Sequence, residues 1–207
     1  MAEKILLIKL AALGDVLRAT SLLPAIRDKW EDANITFFTK EEAEPLVENN
    51  SHINRVITYD AGSIKKLEQE KFDYVFNLDE DYEACALATR IKKREFHGFY
   101  LKDGKVAATE TAREWFNMSA LGKKAPKVKG MAFNDYLKKR NKKTWQHLMA
   151  ELIGVDVDKC AYSYQLSEQQ KTFASDFARR YNISKNDLVI GLNTGAGERW
   201  PAKNLSV

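Results

Sequence analysis

The sequence contains no apolar run approaching the roughly 20 residues that a helix needs to cross a bilayer, so no membrane-spanning helix is expected. The opening M-A-E-K-I-L-L-I-K lacks the charged, apolar and small-residue order of a secretory signal, and the expected location is the cytoplasm. Cysteine is scarce: Cys85 and Cys160 share neither metal-ligand nor redox spacing, which points to two reduced, structural thiols. No cluster of His, Asp and Glu stands at metal-ligand spacing, so no metal is expected. The dinucleotide fingerprint G-x-G-x-x-G is missing after the first strand, where only Gly14 is present; this argues against a dinucleotide dehydrogenase. The glycine-rich stretch G-A-G-E-R-W-P-A-K lacks the G-K-[ST] ending of a Walker A loop. No internal repeat or low-complexity segment occurs.

What is present suits a soluble globular chain: 207 residues, 44% apolar and 30% charged, enough for one sizeable core or one domain plus part of another. The net charge of +4 conceals an asymmetry. Residues 1–89 balance to −7, residues 90–143 to +11, and the remainder to zero. Such a basic block attracts phosphate, nucleic acid or an anionic membrane surface, or is a solvated set of loops and helix faces. Charge alone does not separate these readings.

Over the first hundred residues short apolar runs alternate with helical patterns, the mark of βαβ units and a parallel sheet with helices on both faces. Strands are expected at Ile5–Leu10, Ile35–Thr39, Arg55–Tyr59 and Tyr74–Leu78, with a fifth opening at Glu95–Gly98. The periodicity predicts helices over Val16–Trp30, kinked or broken near Pro24, and over Glu41–Asn49, Ser63–Glu70 and Tyr82–Ile91. Residues 100–143 read as a long, partly irregular excursion with helical fragments at Glu114–Leu121 and Asn134–Lys139. A helix is expected over Thr144–Gly154, and another from the N-cap Ser167 through Tyr181. A turn at Asn182–Asp187 then leads to a strand over Leu188–Asn193. The resulting division is a first domain over 1–165 and the start of a second over 166–207.

Two strand-to-loop junctions carry the chemistry. In open α/β sheets ligands sit at the carboxyl ends of the strands. At the first junction, A-L-G-D-V-L-R-A-T, Gly14 permits a tight turn and Asp15 stands where the helix begins. Asp15 is either a helix N-cap or a carboxylate at the mouth of the sheet, placed as general base for a substrate hydroxyl. Arg18 and Thr20 follow, either as contacts for an anionic substrate or as an exposed helix face. The second junction, L-V-I-G-L-N-T-G-A-G-E-R-W-P-A-K, offers the amides of a glycine-rich loop to a diphosphate, with Lys203 and Arg199 as neutralising cations. The alternative for this segment is an ordinary βα turn with a surface lysine.

Together the junctions resemble those of glycosyltransferase family 9, typified by the ADP-heptose:lipopolysaccharide heptosyltransferases. The resemblance rests on I-L-L-I-K-L-A-A-L-G-D-V-L-R-A-T-S-L-L-P-A-I-R-D-K-W, on N-L-D-E-D-Y-E-A-C-A-L-A-T and on G-L-N-T-G-A-G-E-R-W-P-A-K-N-L. It covers both ends of the chain well and the basic middle poorly. It implies an α/β fold with a Rossmann-like parallel sheet, the N-terminal half of a GT-B glycosyltransferase. In that scheme 1–165 is the acceptor-side domain and 166–207 the start of a truncated donor-binding domain. The family's catalytic aspartate falls on Asp15, with Gly14, Arg18 and Thr20 on the acceptor side. Its donor-phosphate residues fall on Thr194, Gly195, Ala196, Gly197 and Lys203.

The activity implied is inverting transfer of a sugar, heptose above all, from ADP-heptose or another nucleotide-sugar to lipopolysaccharide core or a related glycan. No cofactor is expected beyond the donor substrate. The resemblance also implies peripheral contact with the cytoplasmic face of the inner membrane, and no nucleic-acid partner. On this reading the 207-residue chain alone is expected to be inactive. The competing reading is a non-enzymatic Rossmann-like module that holds RNA or another polyanion through residues 90–143. There Tyr100, Trp115, Phe116 and Tyr136 interleave with lysines, although no recognised RNA-binding signature accompanies them.

Overall fold

The computed structural model describes residues 2–119 and 125–192. Strand β1 (Lys4–Ile8) is apolar after its first residue, and Ile5, Leu6, Leu7 and Ile8 are fully enclosed. A strand buried on both faces belongs in the middle of a sheet covered by helices on each side. It pairs in parallel with β2 (Asn34–Thr39) on one edge and with β4 (Lys71–Asn77) on the other. Strand β3 (Arg55–Thr58) extends the β2 side. On the other side β5 (Lys92–Lys102) runs parallel to β4, and β6 (Lys105–Ala108) returns antiparallel along β5. The order β3-β2-β1-β4-β5-β6 reverses its winding between β1 and β4, so their carboxyl ends form the topological switch point.

Alternate residues of β1 serve opposite layers. Ile5 and Leu7 pack with α1 (Leu13–Ala19), α2 (Leu23–Lys29) and α7 (Trp145–Ile153), while Leu6 and Ile8 pack with α3 (Ala61–Gln69) and α4 (Tyr82–Arg90). Each fully buried side chain of this size contributes about 1.5–3 kcal/mol. Thr144 caps α7 and Gly154 ends it in the left-handed conformation at φ 77°. The helix expected to be kinked or broken near Pro24 is broken: α1 passes through a 3₁₀ turn (Thr20–Leu22) into α2. Pro24 occupies the first turn of α2, where a missing N–H removes no helical bond.

Three expectations are corrected. The segment expected as a helix over Glu41–Asn49 forms 3₁₀ turns at Glu41–Leu46, because Pro45 inside it lacks the N–H of an α-helical bond. Residues 100–143 are more regular than expected. Strand β5 runs on to Lys102 and turns through Asp103 and Gly104, at φ 51° and 69°, into β6. Asp-Gly at those two positions is the residue pair that a two-residue hairpin turn favours. Helices α5 (Arg113–Met118) and α6 (Phe133–Arg140) follow, close to the expected fragments. The third correction is the strand over Leu188–Asn193. Residues 188–192 are in no strand, and Leu188, Val189, Ile190 and Leu192 are 63–87% exposed. A β-prone run becomes a strand only beside another, and no described residue pairs with it; Asn193 lies outside the described residues.

The chain divides into two compact units, Met1–Gln165 and Leu166–Val207. In the second, α8 (Glu168–Arg180) starts with a complete capping box, Ser167 and Gln170 each bonding the other's backbone amide. No helix among the described residues is long and apolar enough to cross a membrane.

Candidate active site

After β1 the chain leaves the sheet through Lys9–Ala12 and enters α1. The Ala12 carbonyl accepts the amides of Asp15 and Val16 at 2.8 and 3.0 Å, so Ala12, not Asp15, holds the N-cap position. Asp15 stands in the first turn with its side chain 45% exposed, 3.4 Å from the Arg18 guanidinium. Arg18 in turn lies over the Trp145 ring, 5.5 Å from its centroid. Gly14 is helical rather than in a tight turn, and a Cβ placed on it would meet nothing within 4 Å. It therefore leaves open space beside Asp15 at a helix-propensity cost of about 1 kcal/mol relative to Ala. Thr20 is elsewhere: it is fully enclosed and its hydroxyl donates to the Leu17 carbonyl at 2.7 Å. Gly14, Asp15 and Arg18 thus share one exposed surface, which Thr20 does not join. Thr194, Gly195, Ala196, Gly197 and Lys203 lie outside the described residues.

The acid run Asp79-Glu80-Asp81, where the chain leaves β4, faces the same junction. In the sequence these acids stand within one of the segments that carry the family resemblance, but nothing there places them beside the loop after β1. The Asp79 carboxylate accepts the Leu10 and Ala11 amides and the Lys9 ammonium. Burial pushes its pKa up, but Lys9 and the bonded amides outweigh burial and hold it below the ordinary 3.8. At Glu80 the compensation falls short of the burial penalty. Burial is the largest influence, opposed by a Ser119 hydrogen bond and by Lys9 and reinforced by Asp79 and Asp81; the carboxyl is pushed up to about 7. Its Oε1 is buried without a hydrogen-bond partner. Asp81 is also raised, by burial and then by Asp79. It lines a cavity of about 200 Å³ with Leu10, Lys40, Tyr59 and Glu83, at the carboxyl ends of the central strands.

The two neighbouring acids impose opposite pH dependence. Glu80 binds its proton more tightly folded than unfolded, so it costs stability progressively as pH rises from about 4.5 to about 7. Asp79 contributes stability at neutral pH and loses it as pH falls through its lowered folded-state value. Glu80→Gln, neutral throughout, is expected to melt several degrees above the parent at pH 8, the gap closing towards pH 5. Superimposable melting curves across that range would show that Glu80 does not titrate there.

A larger cavity, about 560 Å³, lies between α5 and α6 and shares no residue with the switch point. Its Arg113 and Glu110 pair with each other at 2.6 Å. The basic block is likewise partly compensated: Arg90 meets Glu68, Arg94 meets Asp73, and Lys143 meets both Glu114 and Glu151. Trp115 and Phe116 are partly buried against the core, and Phe116 stacks on Phe99. Both cysteines are free; burial pushes the Cys85 thiol up to about 12.

No protein-family model matches the sequence, and no curated protein matches it. Solved structures do. A glycosyl transferase family 9 structure from Veillonella parvula DSM 2008 is 18% identical, with a TM-score of 0.66 over 94% of this chain and 54% of that one. The E. coli heptosyltransferase WaaC with ADP is 17% identical, with a TM-score of 0.45 over 80% of this chain and 49% of that one. E. coli ADP-heptose lps heptosyltransferase II is 15% identical, with a TM-score of 0.46 over 88% of this chain and 51% of that one. The chain thus spans about half the length of the structures it resembles. It shares the α/β, GT-B-type fold of the Veillonella parvula glycosyltransferase over that half.

Proposed function

We propose that the protein is an inverting glycosyltransferase acting on a nucleotide-diphosphate sugar, with ADP-heptose the first donor to test and lipopolysaccharide core or a related glycan as acceptor. One observation carries the reading: Asp15, a half-exposed carboxylate with open space at Gly14, stands in the first turn of the helix that leaves the switch point of a sheet sharing a glycosyltransferase fold. The acceptor O–H would give its proton to Asp15 as the oxygen attacks the anomeric carbon. The bond from that carbon to the diphosphate breaks on the opposite side, its electron pair leaves with the nucleotide, and the configuration inverts. Amides of the 194–197 segment and Lys203 would stabilise the charge that develops on the departing diphosphate. Arg18, held by Asp15 and Trp145, is available to an anionic group on the acceptor. The reaction would take place in the cytoplasm, with lysines of residues 90–143 favouring an anionic membrane surface.

A calorimetric screen of nucleotide-sugars on the full-length protein, followed by mass spectrometry of transfer products, tests this. Binding and consumption of one nucleotide-sugar is the expected result. If none binds while unrelated oligonucleotides bind in a salt-dependent way, the protein is a polyanion-binding module and the proposal fails. In the same assay Lys203→Ala should weaken donor binding about tenfold, the loss of one charge-assisted bond; an unaltered Kd removes Lys203 from the site.

A further inference from the structure

The hydrogen bonding at the switch point assigns a task to Asp79. Three donors converge on its Oδ2: the Lys9 ammonium at 3.1 Å, the Leu10 amide at 2.9 Å and the Ala11 amide at 3.1 Å. Its Oδ1 accepts the Asp81 amide at 3.2 Å. Asp79 is itself located from behind. Its amide donates to Asn77 Oδ1 at 3.0 Å, and Asn77 Nδ2 donates to the Phe99 carbonyl at 2.7 Å. A continuous relay therefore runs from β5 through β4 to the loop after β1. The next residue along that loop, Ala12, opens α1 and accepts the Asp15 amide. Among the described residues, no other side-chain hydrogen bond holds the backbone of residues 10–14.

We propose that Asp79 is a positioning residue: its buried carboxylate clamps the loop after β1 and so sets where Asp15 meets the acceptor hydroxyl. The inference rests on the glycosyltransfer reading of Asp15. A role in stability alone explains the arrangement less well. The pair is 9% and 6% exposed, and an apolar pair of similar volume would pack such a site about equally well. What an apolar pair could not do is accept the Leu10 and Ala11 amides. Position matters because a displacement of about 1 Å at a reacting group costs on the order of 100-fold in rate.

The test uses the full-length protein and the double substitution Lys9→Met/Asp79→Leu, which removes both charges together and leaves neither buried alone. The expected result is a cooperative melt and a fall in kcat of about 30-fold or more, with the donor KM within about threefold. Adding those two substitutions to Asp15→Asn should cost little beyond the loss that Asp15→Asn causes alone, because a group acting through Asp15 then has nothing left to position. Asp79→Asn, isosteric and still able to accept one amide, is the second variant. It should lose less, about tenfold, with the same lack of additivity.

A folded double variant with kcat within about threefold of the parent overturns the inference, as does a loss that adds in full to that of Asp15→Asn. Failure of both variants to fold would assign Asp79 to the fold alone. If the parent transfers no sugar, or Asp15→Asn transfers it at full rate, the glycosyltransfer reading falls and this inference with it. Those two results are recognisable because Asp79 is intact in both proteins.

Discussion

Asp15→Asn in the full-length protein is expected to lower kcat for sugar transfer by a factor of about 10²–10⁴, the usual worth of a positioned general base. The substitution preserves size and shape. The side chain is half exposed and its ion pair with Arg18, at 3.4 Å, lies on the surface, where such pairs contribute about 0–1 kcal/mol. The melting temperature should therefore barely move. Donor affinity should also hold, because the donor-phosphate residues named from the sequence belong to a different segment. Steady-state kinetics with a thermal melt and donor calorimetry on the same preparation check all three points. Unchanged turnover would remove Asp15 as the base. It would not restore it as a helix cap, since Ala12 already holds that position.

The second large effect concerns stability. Gly98 has φ 122°, and a Cβ built on it would lie 2.0 Å from the Asn77 carbonyl oxygen and 2.8 Å from its carbon. Both are backbone atoms, so no side-chain rotation relieves the overlap. Gly98→Ala must push β5 away from β4, at the place where Asn77 reaches the Phe99 carbonyl and shapes the turn into Asp79. The cost combines backbone strain with overpacking, on the order of 3 kcal/mol or more. That corresponds to about 6–12 °C in Tm for a domain of this size, or to failure to fold. Gly104→Ala is the control. At φ 69°, with nothing within 4 Å of a Cβ, it should lose only about 1–2 kcal/mol. Equal melting temperatures for the two variants would refute the steric account.

The pairing of these two experiments separates chemistry from scaffold. Asp15→Asn removes a proton acceptor without disturbing packing; Gly98→Ala disturbs the strand pair behind the relay without touching an exposed group. Glu80 adds a third axis, because its buried carboxyl makes stability fall towards pH 7 while Asp79 beside it makes stability fall towards acid.

By itself the sequence determined the strands and most of the helices to residue 98, the break near Pro24 and the cap at Ser167, and it marked Asp15 at the start of α1 as either a cap or a functional carboxylate. These are local matters, decided by apolar period, by a missing proline N–H and by side chains that reach their own backbone. The hairpin turn at Asp103–Gly104 is equally local, but its sequence reads as part of an irregular excursion, because the many lysines around it hide the strand alternation. Other features needed the tertiary structure. Thr20 is two residues from Arg18 in sequence, yet the turn of the helix points it into the core. The apolar run at 188–192 has strand composition and no strand beside it. Above all, the contact of Asp79 with Lys9, Leu10 and Ala11 joins residues about seventy positions apart. No periodicity encodes it, because it exists only once β4 lies beside β1 and brings two strand ends, and their unpaired amides, to one buried carboxylate.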